Sequence, residues 1–212
     1  DHIDTKLPPE ALHDPDDFRN QRLYNEEMDI MLRQHFRPLK MIYDKYSMLN
    51  PLQGKAKFGI EEWHSFVQDS RLVSGDMTLR ECRMAFWHSR MIVADEVKSR
   101  MKFTTLTFIS FLEAIGRVAD MMSIPTDADL DSIRAHDILE YDLMLRKADA
   151  ETQARLLMPR SSAEFTAPKT RPLHVKLDRL LKLILGRFAI LWKGAITMGS
   201  KRISLIGTYA SQ

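Results

Sequence analysis

The sequence predicts an all-α protein, and three observations carry that expectation. Glycine (8) and proline (9) are sparse among 212 residues, while methionine (13) is abundant. Apolar residues recur at helical spacing in long runs between turn signals. One pattern also occurs twice, 48 residues apart: Phe58-x-Ile60-x-x-Trp63-x-x-Phe66 returns as Leu106-x-Phe108-x-x-Phe111-x-x-Ala114. Each copy sets an apolar residue in an extended position and then opens a helix, so the chain reads as helix, loop, short strand, helix, written twice.

Residues 1–17 hold Pro8, Pro9 and Pro15 and read as an irregular leader. Asp16 or Asp17 is positioned to cap a helix that carries Met28, Met31 and Leu32 toward His35. Pro38 is tolerated in a first turn and costly inside a helix, so a kink or restart is expected at Phe36 to Arg37. The next helix aligns Leu39, Ile42, Tyr43 and Tyr46 on one face, and Ser47 to Lys57, with Asn50-Pro51 and Gly54, is loop. A helix follows from Ile60 to Ser70, then one from Met77 to about Met91 capped by Asp76. A long connection to Thr105 and a helix from Thr107 to Met122 close this part. The pattern thus divides the chain into a helical domain at 18–124, an acidic helix within 125–158, a linker at 159–172, and a basic amphipathic helix with its tail at 173–212.

The bulk numbers exclude several classes. A net charge of +2 and a pI near 8.6 lack the concentrated basic stripe of a nucleic-acid protein. The charge is uneven: nine acids face three bases from Asp120 to Glu151, and seven bases face one acid, Asp178, from Leu173 to Arg202. Such segments attract each other or different partners. The lone Cys82 excludes an intrachain disulfide and fits a reducing compartment. Lys182, Arg187 and Lys193 interrupt the most apolar stretch, so no membrane span is expected. No signal-peptide pattern opens the sequence, which starts at Asp1 as a processed form or a piece of a longer protein would.

The paired units, over roughly residues 36–122, resemble an EF-hand pair of the calmodulin superfamily. In that family an apolar residue at loop position eight pairs with its twin in a short strand, and a Glu at position twelve clamps calcium. Phe58 and Leu106 match position eight, Glu62 and Ser110 fall at position twelve, and Trp63 and Phe111 match the aromatic that follows. The metal chemistry departs from the family. The first loop offers Pro51, Gln53, Lys55, Lys57 and Gly59 at the other ligand positions, with Ala56 at the turn. The second offers Ser99, Met101, Phe103, Thr105 and Thr107, with Thr104 at the turn. Two lysines stand where a cation belongs, and the connections are long, Ser47 through Glu62 spanning 16 residues. The expectation is therefore a pair without cofactor or metal, Glu62 being the weak metal candidate, with Phe58 and Leu106 as the loop-pairing residues. The run Phe108-Ile109-Ser110-Phe111-Leu112-Glu113-Ala114-Ile115-Gly116-Arg117-Val118-Ala119-Asp120 is also similar to EF-hand-like modules in large proteins of motile cilia and flagella. That resemblance implies a cytoplasmic, axonemal or cytoskeletal scaffold among other subunits of a large complex, tubulin included.

Leu173, Leu177, Leu180, Leu181, Ile184, Phe188, Leu191 and Trp192 form one apolar stripe, with Lys176, Arg179, Lys182 and Arg187 largely outside it. A basic amphipathic helix of this kind suits a calmodulin-like light chain, a membrane surface or an acidic partner, or it packs on its own domain. An EF-hand pair holds an apolar groove that accepts such a helix, so the chain is also able to fill its own groove.

No enzyme is expected. The sequence has no Gly-rich phosphate loop, Ser nucleophile motif or zinc spacing. His64 and His88 read as surface or core-edge residues, and Glu61-Glu62 points two ways on a helix. The expected role is structural, a calcium-free scaffold module of a ciliary or flagellar complex. The alternative is a regulatory adaptor that binds calmodulin or a related light chain through 173–195, and a calcium sensor ranks third.

Overall fold

A computed structural model describes residues 14–48, 56–74, 77–157 and 171–198 of the chain. The fold is all-α. Helix α1 (Pro15–Phe18) runs into one π-helical turn (Arg19–Leu23), and α2 (Glu26–Gln34) follows after a break. One continuous helix was expected here. Asn25 interrupts it, because its side-chain oxygen accepts the Met28 N–H at 2.9 Å and caps α2. Helix α3 (Phe36–Ser47) starts afresh with Pro38 in its first turn, where the missing N–H breaks no helical bond.

Helices α4 (Ile60–Asp69) and α5 (Leu79–His88) form the middle of the molecule. Asp76, the expected cap of α5, lies outside the described residues. Thr78 caps that helix instead and exchanges hydrogen bonds with Glu81 in a capping box. The connection expected to be irregular contains a short helix, α6 (Arg100–Thr104), before α7 (Phe108–Met121), which Thr107 caps.

The acidic segment is three helices, not one: α8 (Asp127–Ser132), α9 (Ile138–Lys147) and α10 (Ala150–Leu157). Thr126, Asp137 and Asp149 accept the backbone N–H of Asp129, Glu140 and Thr152 at 3.2, 2.8 and 2.8 Å. Each side chain starts a new turn and so ends the continuity that its charge pattern suggested. Arg134, at φ 57°, turns the chain between α8 and α9. Helix α11 (Leu173–Met198) closes the described chain. Residues 1–13 of the expected leader, residues 158–170 with most of the expected linker (159–172), and the tail from 199 lie outside the described residues, whereas Pro15 to Asp17, expected to be irregular, open α1 because Asp16 and Asp17 favour a first turn.

One apolar core runs from Phe18 to Phe188 and takes side chains from α2, α3, α4, α5, α7 and α11. Its centre is aromatic: Phe58, Trp63, Phe66 and Phe111 are fully buried, with ring centroids 5.0 Å apart for Phe58 and Phe111 and 5.2 Å for Phe66 and Phe111. A smaller cluster of Leu130, Ala135, Ile138, Tyr141 and Leu183 seats α8 and α9 on α11. The described residues contain no β-strand; where the two loops meet, Leu106 N–H donates to the Phe58 carbonyl at 2.7 Å.

Candidate functional site: the docked C-terminal helix and the joined loops

Helix α11 turns its apolar stripe inward. Leu173, Leu177, Leu180, Leu181, Ile184 and Phe188 are buried in the common core. The Phe188 ring lies 6.1 Å from both Tyr46 and Phe66, so the helix reaches the aromatic centre. Burying a Leu or Phe side chain contributes about 1.5–3 kcal/mol. Six such residues make this face a main support of the fold.

The basic residues named for partner docking are also engaged within the chain. Lys176 Nζ donates to the Asp120 carbonyl at 2.7 Å, and Arg179 donates to the Pro125 carbonyl at 2.6 Å and pairs with Asp127. Lys182 pairs with Asp178 one turn away at 2.7 Å. Arg187 binds the Asp142 carboxylate at 2.6 Å and donates to the carbonyls of Ser70 and Arg71 at 2.7 and 3.0 Å. Those carbonyls end α4, where Arg71 has φ 52°, and a cation there complements the helix C-terminus. The side chain of Trp192 lies outside those described. The outer face of α11 exposes Val175, Ile190 and Leu191, so Leu191, expected in the inward stripe, lies outside it past the point where the helix leaves the core at Phe188.

Phe58 and Leu106 are buried where the loops meet. Tyr43 stacks on Phe58 with centroids 5.1 Å apart, and its hydroxyl donates to the Leu106 carbonyl at 2.9 Å, so one residue of α3 holds both loops. Glu62 is buried, and its carboxylate accepts the Gly59 N–H at 2.8 Å at the start of α4. Pro51, Gln53 and Lys55 lie outside the described residues. In the second loop, Thr105 donates to the Met101 carbonyl, Thr104 donates to the Arg100 carbonyl, and Thr107 caps α7 through Ser110 N–H. These three hydroxyls are engaged with the backbone of their own helix ends. Among the described residues no group of three His, Cys, Asp or Glu side chains converges as a metal site would require.

Two arrangements escaped the sequence reading. Arg90 lies between the rings of Trp87 and Phe103, 4.1 Å from each centroid, and donates to both residues' carbonyls, fastening the long connection. Arg19 and Arg117 both bind Glu113, and Arg22 binds Asp120 at 2.7 Å, tying α1 and its π-helical turn to α7. The only signal in the sequence was an i,i+4 Glu113–Arg117 pair inside an otherwise apolar helix. Arg19 and Arg22 stand 94 and 98 residues from their partners.

Cys82 is buried, and burial, with the charge of Glu81 adding to it, pushes its thiol up to about 12. Burial and the Asp69 carboxylate, which accepts the Tyr46 hydroxyl at 2.6 Å, raise the Tyr46 phenol likewise. No helix among the described residues is long and apolar enough to cross a membrane. No family model matches the chain, and no curated protein or solved structure matches it.

Proposed function

We propose that the chain is a non-catalytic structural module, an EF-hand-derived pair that takes no calcium and acts as a fixed connector in a cytoskeletal complex of a cilium or flagellum. The observation that carries the connector reading is the docking of α11, whose apolar stripe packs on α2 and α7 and reaches α4 through Phe188 on Phe66. A groove already filled by its own chain is unavailable as a switch. The EF-hand derivation rests on the order of α3, loop, α4 and α5, loop, α7, and on the bond from Leu106 to Phe58 that joins the loops at their matched positions.

The donor set supports the calcium-free form. Glu62 serves the Gly59 amide, and the second loop contributes hydroxyls that cap helices. Calcium demands six to eight oxygens, several of them carboxylates. The expected result of a calorimetric calcium titration of the full chain is no binding heat at millimolar ion; a saturable exotherm near one ion per loop would overturn the reading.

The ciliary assignment rests on the run from Phe108 to Asp120, and a tagged copy tests it. Retention in detergent-extracted, microtubule-containing cytoskeletons is expected, and a freely extracted protein counts against it. The adaptor reading requires α11 to leave the core. A 173–195 peptide that binds calcium-loaded calmodulin, with the intact chain binding equally well, would favour that reading instead.

A further inference from the structure

A second groove lies on the far side of α7 from the aromatic centre, and it is open. Leu23 and Leu112 form its floor, and Tyr24, Phe36 and Ile109 stand around it, 63%, 49% and 67% exposed. Its volume is about 720 Å³, enough for two or three side chains of a docked helix. Exposed apolar residues scattered singly are ordinary, whereas two aromatics and an Ile gathered around a buried Leu floor form a patch. The Phe36 ring is held edge-on against Phe108 with centroids 5.4 Å apart, so the wall is positioned before anything binds.

The charge around the groove selects its occupant. Arg33 is matched by Asp29 at 2.7 Å, and Glu113 by Arg19 and Arg117. Arg37 also lines the groove, is exposed, and has no carboxylate partner among the described residues. Phe36 and Arg37 open α3, whose positive end is offset by the C-terminus of α2 at Gln34, while Phe108 and Ile109 open α7, so the α7 N-terminus presents its positive end here. Arg37 and the α7 N-terminus both favour an anion beside an apolar contact.

We infer that this groove is a docking site for an acidic amphipathic helix of another protein, seating two large apolar side chains one turn apart over Leu23 and Leu112 with a carboxylate on Arg37. The site is separate from the α11 contact, so its failure leaves the proposed connector role untouched.

The test uses the full chain and two alanine-based helical peptides with Leu at i and i+4, one flanked on that face by Glu and the other by Lys, followed by fluorescence anisotropy. The Glu peptide is expected to bind at least about tenfold more tightly than the Lys peptide. Ile109→Asp is expected to weaken it by about tenfold or more, and Arg37→Glu to reverse the preference. Far-UV circular dichroism checks that both variants keep their fold; should Ile109→Asp disturb it, Tyr24→Ser takes its place. Equal affinity for the two peptides, no binding of the Glu peptide at millimolar concentration, or indifference to Ile109→Asp refutes the inference. So does a wild-type dimer that Ile109→Asp turns into a monomer, because the occupant is then a second copy.

Discussion

If α11 is part of the core, truncating its inward face must destabilise the whole module. Leu181 is 0% exposed and belongs to the cluster that also holds Trp63 and Phe66. Leu181→Ala removes three carbons from the interior, a transfer loss of about 2.5 kcal/mol, and the void left behind adds roughly 1 kcal/mol more. A loss of about 3–4 kcal/mol is expected, a large share of the roughly 5–15 kcal/mol that stabilises a typical domain. Ile190, 51% exposed on the same helix, supplies the control, and Ile190→Ala should cost no more than about 0.5 kcal/mol. Urea unfolding followed by both far-UV circular dichroism and tryptophan fluorescence measures the two variants. Both signals are expected to shift together with the slope unchanged. If Leu181→Ala and Ile190→Ala cost the same, or if helical signal is lost while the tryptophan signal is not, then α11 is an appendage and the reasoning fails.

With its thiol pushed up to about 12 by burial, Cys82 should be inert to a disulfide reagent at about pH 8 and react fully in urea; rapid labelling of the native chain would show the site is open. For Asp178, burial acts upward, but hydrogen bonds from Lys182 and His35 outweigh it and hold the carboxyl below its ordinary value. A lowered folded-state value means stability fully present above about pH 4 and lost as pH falls through the lowered value. Urea midpoints of wild type and Asp178→Asn should therefore differ near neutrality and converge in acid, and a gap that stays constant down to about pH 2 contradicts this. Glu113→Ala strips buried Arg117 of bonds at 3.0 and 2.8 Å and should cost about 3–5 kcal/mol, with Glu113→Ala/Arg117→Met recovering much of it in the same assay. Glu62→Ala orphans the Gly59 N–H and should cost about 1–2 kcal/mol, by an amount independent of added calcium if its carboxylate serves the helix alone.

The helices that build the core were legible because their apolar residues recur with the helical period: α3, α4, α7 and α11 fall close to where that period and Pro38 put them. Charged residues were read less well. Asp137 and Asp149 count as acids on a helix face until their side chains are seen to accept backbone N–H groups, and at that point they end one helix and begin another. Asn25 misled in the same way, since a capping residue and an exposed polar residue look identical in a string of letters. The engaged state of Lys176, Arg179 and Arg187 depended on carbonyls and carboxylates supplied by distant segments, and periodicity carries no information on those.

Arg187 reaches back 117 residues to the Ser70 carbonyl and finishes a helix made far earlier in the chain. During synthesis the paired units leave the ribosome well before their covering helix exists. The part of the aromatic centre that Phe188 covers therefore stays open until α11 emerges, and closure of the module waits on that helix.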